Sequence, residues 1–309
     1  MGMYNGGMAW QQKLNATQAC LSDIPNERLI MATYVFSDVH GHCKTLTRLL
    51  EQVSPSDEDD IFMLGDMIDR GPDPIGVIET CFELAQKGAT VLSGNHEDLM
   101  LTFLRYPQDS MNVFNWEING GGTTAAGLRN LPDERSEELV SWIENLPLYA
   151  YAAVGEGDAR RQFIFVHAGL NTTSLWLKRD TWPEPATWGD EDIERMLEGQ
   201  DPEDLMWIRD EFWGQPTRLV NGEGKGPIVV AGHTPTTYLN GMADLLDRSP
   251  VNEEGLCRIV KVGASEQTGG QFDRVDIDCG AAGGAGFGQV GMLRLDDFEE
   301  FYEPVREGE

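Results

Sequence analysis

The chain has 309 residues, 40% of them hydrophobic, and a formal net charge of −29. That apolar share supplies a buried core and excludes a disordered chain, and no apolar run approaches the roughly 20 residues of a membrane span. A surface so acidic repels nucleic-acid backbones and anionic lipids, so neither nucleic acid nor a membrane is an expected partner. Acidic runs at 54–60, 131–138 and 189–195 read as solvated loops and helix starts. If the substrate is an anion, its counter-charge must come from metals or a few arginines. The opening MGMYNG has glycine where a myristoylation site needs Ser or Thr, and no basic segment precedes an apolar stretch there. Five cysteines form no C-x-x-C pair, which fits a reducing compartment; the expected location is the cytoplasm.

Residues 1–30 have early glycines and no strong period. They read as a flexible or loosely packed extension, with one helix around 10–21. A single α/β domain is expected over 31–303. Apolar stretches at 32–37, 61–64 and 89–92 alternate with helix-forming segments near 43–53 and 74–87. A strand, a crossover helix and a return strand need about 30 residues, so this spacing predicts a βαβαβ series with parallel strands. Residues 97–145 read as a mostly helical insertion, interrupted by NGGGTT at 119–124. Further strands are expected at 162–166, 227–231, 257–262, 273–278 and 290–295. The glycine-rich 279–288 is a loop and no P-loop, since no Gly-Lys-Ser/Thr follows.

Ligands of parallel sheets bind at the carboxyl ends of the strands. Asp38-Val39-His40-Gly41 closes the first predicted strand, and Gly65-Asp66 through Asp69-Arg70-Gly71 closes the second. Gly94-Asn95-His96-Glu97 closes the third, with His167-Ala168-Gly169 and Gly232-His233-Thr234 after two later ones. Four of the five histidines therefore stand at strand ends; His42 is the exception and reads as a helix-start or surface residue. In an extended segment residues i and i+2 point the same way, so Asp38 and His40 can grip one cation together. Asp66, with two carboxylate oxygens, is suited to bridge two cations, and Asn95, His167 and His233 complete a second site. Mixed carboxylate and imidazole ligation suits Mn²⁺, Fe, Zn²⁺ or Mg²⁺. Two such ions clamp a phosphate and acidify a water for in-line attack, which implies hydrolysis of a phosphate ester or anhydride.

Taken together, these motifs resemble the signature set of the phosphoprotein phosphatase family of serine/threonine type, within the calcineurin-like metallophosphoesterases. The resemblance covers about 32–295; WEINGGGTT (116–124), WIRDEFW (207–213) and VDIDCGA (275–281) are similar to its bacterial members. It implies a β-sandwich of mixed sheets flanked by helices and two divalent metals, with Mn²⁺ the first choice. Asp38, His40 and Asp66 would bind metal 1, and Asp66, Asn95, His167 and His233 metal 2. His96 would be the general acid, held and kept protonated by Asp69, while Arg70 and Arg209 would bind phosphoryl oxygens. Ser37 stands where many relatives carry Gly, and Ala168 where eukaryotic enzymes usually carry a second Gly; little effect on ligation is expected. The first-choice substrate is a phosphoserine or phosphothreonine monoester in a phosphorylated protein. The alternative is a small-molecule substrate, a dinucleoside polyphosphate such as diadenosine tetraphosphate. Symmetrical tetraphosphatases typically lack the aspartate found here at Asp69, which places the monoester first. A non-catalytic binding protein comes last, since every ligand position and His96 are intact.

Overall fold

The computed structural model describes residues 31–173 and 182–309; the expected extension 1–30, with its helix at 10–21, lies outside the described residues. From β1 (Thr33–Phe36) the chain runs through α1 (Cys43–Val53), β2 (Asp60–Met63), α2 (Pro74–Gln86) and the two-residue β3 (Thr90–Val91). Four helices follow: α3 (Asn95–Arg105), α4 (Ser110–Ile118), α5 (Gly122–Asn130) and α6 (Asp133–Glu144). Next come β4 (Tyr149–Val154), β5 (Arg161–Val166), α7 (Asp190–Glu198), α8 (Pro202–Trp207), α9 (Asp210–Trp213) and β6 (Ile228–Ala231). The chain closes with α10 (Leu239–Met242), β7 (Val260–Val262), β8 (Arg274–Asp276), β9 (Gln289–Arg294) and β10 (Glu300–Pro304).

Two five-stranded mixed sheets result, ordered β10-β9-β1-β2-β3 and β4-β5-β6-β8-β7. The predicted parallel series is present: β1 pairs with β2, and β2 with β3, all parallel. A second parallel set, β5-β6-β8, forms the middle of the other sheet. Alternation along the strands explains the stacking of layers. Val35, Phe62, Phe163, Phe165 and Val230 point into a shared inter-sheet core, where the Phe62 and Phe165 rings stack at 4.2 Å. Their neighbours Tyr34, Phe36 and Met63 face α1, α2 and the α3–α6 helices, while Ile164, Val166 and Val229 face the helices after β5. Central strands buried on both faces read as continuous apolar runs, which is why they were visible in the sequence. No described helix is long and apolar enough to cross a membrane.

Two strands were not expected. β4, sequence YAYAAV, is half exposed along most of its length, so alanine blurs the apolar contrast. β10 is an edge strand with no fully buried residue. Conversely, the strand expected at 257–262 begins only at Val260, and Cys257 makes an isolated bridge to Val251.

One buried ion pair ties the second sheet to α9. Arg274, 3% exposed, donates through Nη1 to the carbonyls of Phe212, Trp213 and Gln215 at 2.7 Å each. Its Nε donates to Asp273 at 2.9 Å, whose other oxygen accepts from the amide and hydroxyl of Thr217. Arg274→Ala strands a buried carboxylate and three carbonyls and should destabilise the fold by about 3–5 kcal/mol. Denaturant unfolding measures it; an unchanged midpoint would show the pair to be dispensable.

Candidate metal centre

The carboxyl ends of β1, β2, β3, β5, β6 and β8 converge, and the predicted site residues lie on the turns that leave them. Asp38, His40, Asp66, Asp69, Asn95, His96, His167 and His233 are all buried. The sharpness of these turns is itself informative. Asp38, His40, Asp66, Asp69, Arg70 and His233 have positive φ, between 46° and 71°. Such backbone costs of order 1–3 kcal/mol at each non-glycine position, and it clusters where function demands it. One expectation is corrected here: Asp38 and His40, at φ 53° and 46°, are not in an extended segment, so strand alternation does not orient them. A turn does, closed by bonds from Asp38 N to Gly65 O, His40 N to Asp66 O and Gly41 N to Met67 O. Likewise Asn95 and His96 do not end a strand; they open α3, with Gly94 at its N-cap. His42 does precede a helix but is buried, not superficial.

Donor atoms gather in two groups that share Asp66. His40, Asp66 and His96 offer atoms within 4.8 Å of one another, and so do Asp66, His167 and His233. His40 Nδ1 meets the carbonyl of Ile68 at 3.1 Å, and His167 Nδ1 that of Leu64 at 2.7 Å. A carbonyl only accepts, so each Nδ1 carries the proton and each Nε2 presents a lone pair. His40 Nε2 faces Asp66 Oδ2 and His167 Nε2 faces Asp66 Oδ1, both at 3.4 Å. Asn95 Oδ1 lies 2.9 Å from His167 Nε2 and 2.8 Å from His233 Nδ1, whose Nε2 has no partner. Burial first, then the electrostatic influence of His96 and Arg70, holds the His40 imidazole well below its ordinary pKa. Burial lowers His167 to about 3 and pushes His233 well down too. Neutral imidazole lone pairs thus face carboxylate oxygens with no proton between them. That is the complement of a cation, and the residues fit a two-metal site.

The carboxylates respond in the opposite sense. Asp66 is raised by burial, then by Glu97, and Asp38 by burial, then by Asp278 and Asp66. Asp38 stands in neither donor group; its oxygens accept from His233 N at 3.0 and 3.1 Å and from the Ser37 hydroxyl. Gly232 permits this approach, because a Cβ there would collide with Asp38 Oδ2 and Ser37 Oγ. His96 turns Nδ1 to Asp69 at 2.7 Å, while its Nε2 stands 4.0 Å from Asp66. Arg70 is exposed, reaching Asn119 Oδ1 at 3.5 Å. Arg209 is half-buried, donates to Thr234 at 3.3 Å and lies in the electrostatic field of Asp276, Asp278, His167 and His233.

Several buried polar residues beside the site have roles that only the fold shows. Glu97, fully buried, accepts from the amides of Gly94, Asp66 and Met67 at 2.8–2.9 Å and so ties the second motif to the third. Its place three residues after Gly94 is the signal, since a glutamate at N3 reaches back to the helix start. Asp276 and Asp278, inside the quoted VDIDCGA, are buried acids; burial raises Asp276 well up and Asp278 to about 6. Trp116, late in α4, and Thr124, early in α5, bond to Asp69 from either side of the turn between them.

The family model of the calcineurin-like phosphoesterases matches residues 31–260. The chain belongs to that family. Among curated relatives, this calcineurin-like phosphoesterase is 31% identical over 152 residues to the symmetrical bis(5'-nucleosyl)-tetraphosphatase of Proteus mirabilis, covering 47% of this chain and 46% of the relative. It is 32% identical over 142 residues to that of Stutzerimonas stutzeri, covering 45% of each. The chain thus spans about half the length of the curated relatives it matches. Among solved structures, it resembles a protein serine/threonine phosphatase of Saccharomyces cerevisiae at a TM-score of 0.47 and 14% identity, over 98% of this chain and 88% of that one.

Proposed function

We propose that this chain is a two-metal phosphoesterase that cleaves a dinucleoside tetraphosphate symmetrically, into two nucleoside diphosphates. The observation that carries the phosphoesterase reading is Asp66, whose two oxygens face imidazoles of two separate donor groups. The substrate class rests on the tetraphosphatases that resemble it. Asp38, His40 and Asp66 would hold one ion; Asp66, Asn95, His167 and His233 would hold the other. When bound, two such ions, Mn²⁺ being our choice, activate a water and neutralise phosphoryl oxygens.

The chain's own groups divide the remaining work. Nδ1 of His96 is occupied by Asp69, which leaves Nε2 to deliver a proton to the departing oxygen. Arg70 and Arg209 bind the anionic oxygens that a surface of charge −29 would otherwise repel. Residues 31–303 form the catalytic domain, the helices over 97–145 wall the cleft, and we place the protein in the cytoplasm.

A second reading, a phosphoserine or phosphothreonine monoester, is favoured by one observation, the His96–Asp69 pair at 2.7 Å. A departing alkoxide needs a proton far more than a departing nucleotide phosphate does. Purified protein with Mn²⁺ should be assayed against diadenosine tetraphosphate, a phosphopeptide and a phosphate bis-ester. Cleavage of the dinucleotide into two diphosphates is expected; turnover of the phosphopeptide alone would sink the first reading.

A further inference from the structure

The segment WEINGGGTT, the end of α4, a short turn and the start of α5, carries no assigned role, yet its side chains converge on the second motif. Thr124 Oγ1, fully buried, accepts from the amide of Asp69 at 3.0 Å and donates to its carboxylate Oδ1 at 2.6 Å. Trp116 Nε1, on a ring 2% exposed, donates to both oxygens of the same carboxylate, at 3.0 Å to Oδ2 and 3.2 Å to Oδ1. His96 Nδ1 supplies the remaining contact. Asp69 has no room to rotate, and each protein group other than the imidazole that meets its oxygens is a donor. The indole is fixed in turn, since a Cβ on Gly121 would lie 2.5 Å from it. The same turn takes the amide of Arg70 on Gly120 O at 3.2 Å.

We propose that Trp116 and Thr124 are positioning residues for proton delivery: they hold Asp69 as a pure acceptor, and Asp69 aims His96 Nε2 at the leaving oxygen. A carboxylate already accepting an N–H and an O–H stays aligned on the imidazole Nδ1–H, and the ring cannot swing away. The inference rests on His96 being the general acid. It adds that the α4–α5 helical pair, besides walling the cleft, is mechanically part of the acid.

Two substrates separate alignment from general damage. Phenyl phosphate has a basic leaving group that needs a proton; p-nitrophenyl phosphate has one that barely does. In the full-length, metal-loaded protein, Thr124→Val and Trp116→Phe should slow the phenyl ester roughly 10- to 100-fold, the scale of one lost hydrogen bond to a buried charge. The nitrophenyl ester should slow no more than about 3-fold, and Thr124→Ser, which keeps the hydroxyl, should restore both rates. Equal slowing of the two esters, or none, overturns the proposal. His96→Asn is the control: if that variant shows no difference between the esters, the acid reading fails instead. A readout independent of turnover is the nitrogen-15 spectrum of the histidines in the metal-free protein. The His96 Nδ1–H resonance should move in Thr124→Val and return in Thr124→Ser, and an unmoved resonance also overturns the proposal. If Trp116→Phe does not fold, the two Thr124 variants decide alone.

Discussion

Asp66→Asn should lower the affinity of both metal positions together and reduce turnover by roughly 10³-fold, about 4 kcal/mol of barrier. The wild-type carboxylate presents Oδ2 to His40 Nε2 and Oδ1 to His167 Nε2. Asparagine removes the shared charge and turns an N–H toward one imidazole lone pair, where it donates in place of a cation. Its remaining oxygen can still accept the amide of His96, as Asp66 Oδ1 does at 3.0 Å, so the turn survives. The metal-free variant should be at least as stable as metal-free wild type. Burial and the neighbouring Glu97 raise Asp66 above the usual carboxylate range, so its ionised form costs stability above the unfolded pKa, and the amide escapes that cost. Metal analysis decides the matter: two tightly bound ions in the variant would exclude the bridge.

His96→Asn should keep its metals and slow turnover by about 10²–10⁴-fold, the usual worth of a general acid. The geometry makes this a sharp test, because His96 Nε2 also stands in the donor group of His40 and Asp66. Two roles compete for one nitrogen. Its partner Asp69 holds Nδ1 and so leaves Nε2 for one role or the other, and the variant decides between them. Metal loss in the variant, with an ordinary rate once metal is restored, would refute the acid and establish a ligand.

Much of the fold was legible because the central strands are buried on both faces. Val35 and its neighbours Tyr34 and Phe36 serve different cores, which leaves an apolar run with no polar break. β4 and β10 lacked that signature. The motif residues were legible for a different reason: each immediately follows such a run, so topology alone carries Asp38, Asp66, His167 and His233 to one edge. Glu97, Trp116 and Thr124 stand inside the motifs, yet nothing in the sequence shows what they do. Their partners lie 30, 47 and 55 residues away along the chain, and no local period encodes such a bond.

The available chemistry was legible in the residues themselves: carboxylate, amide and imidazole donors just after apolar strands, with the pairing of His96 and Asp69 implied by the family resemblance. How those groups are aimed was not. Side-chain direction at the site depends on left-handed turns at Asp38, His40 and Asp66, and on carbonyls of Leu64 and Ile68 that choose the imidazole tautomers. Composition gives residues their chemistry, but a tautomer or a turn is set by its neighbours in space, and those come together only when the two sheets close on each other.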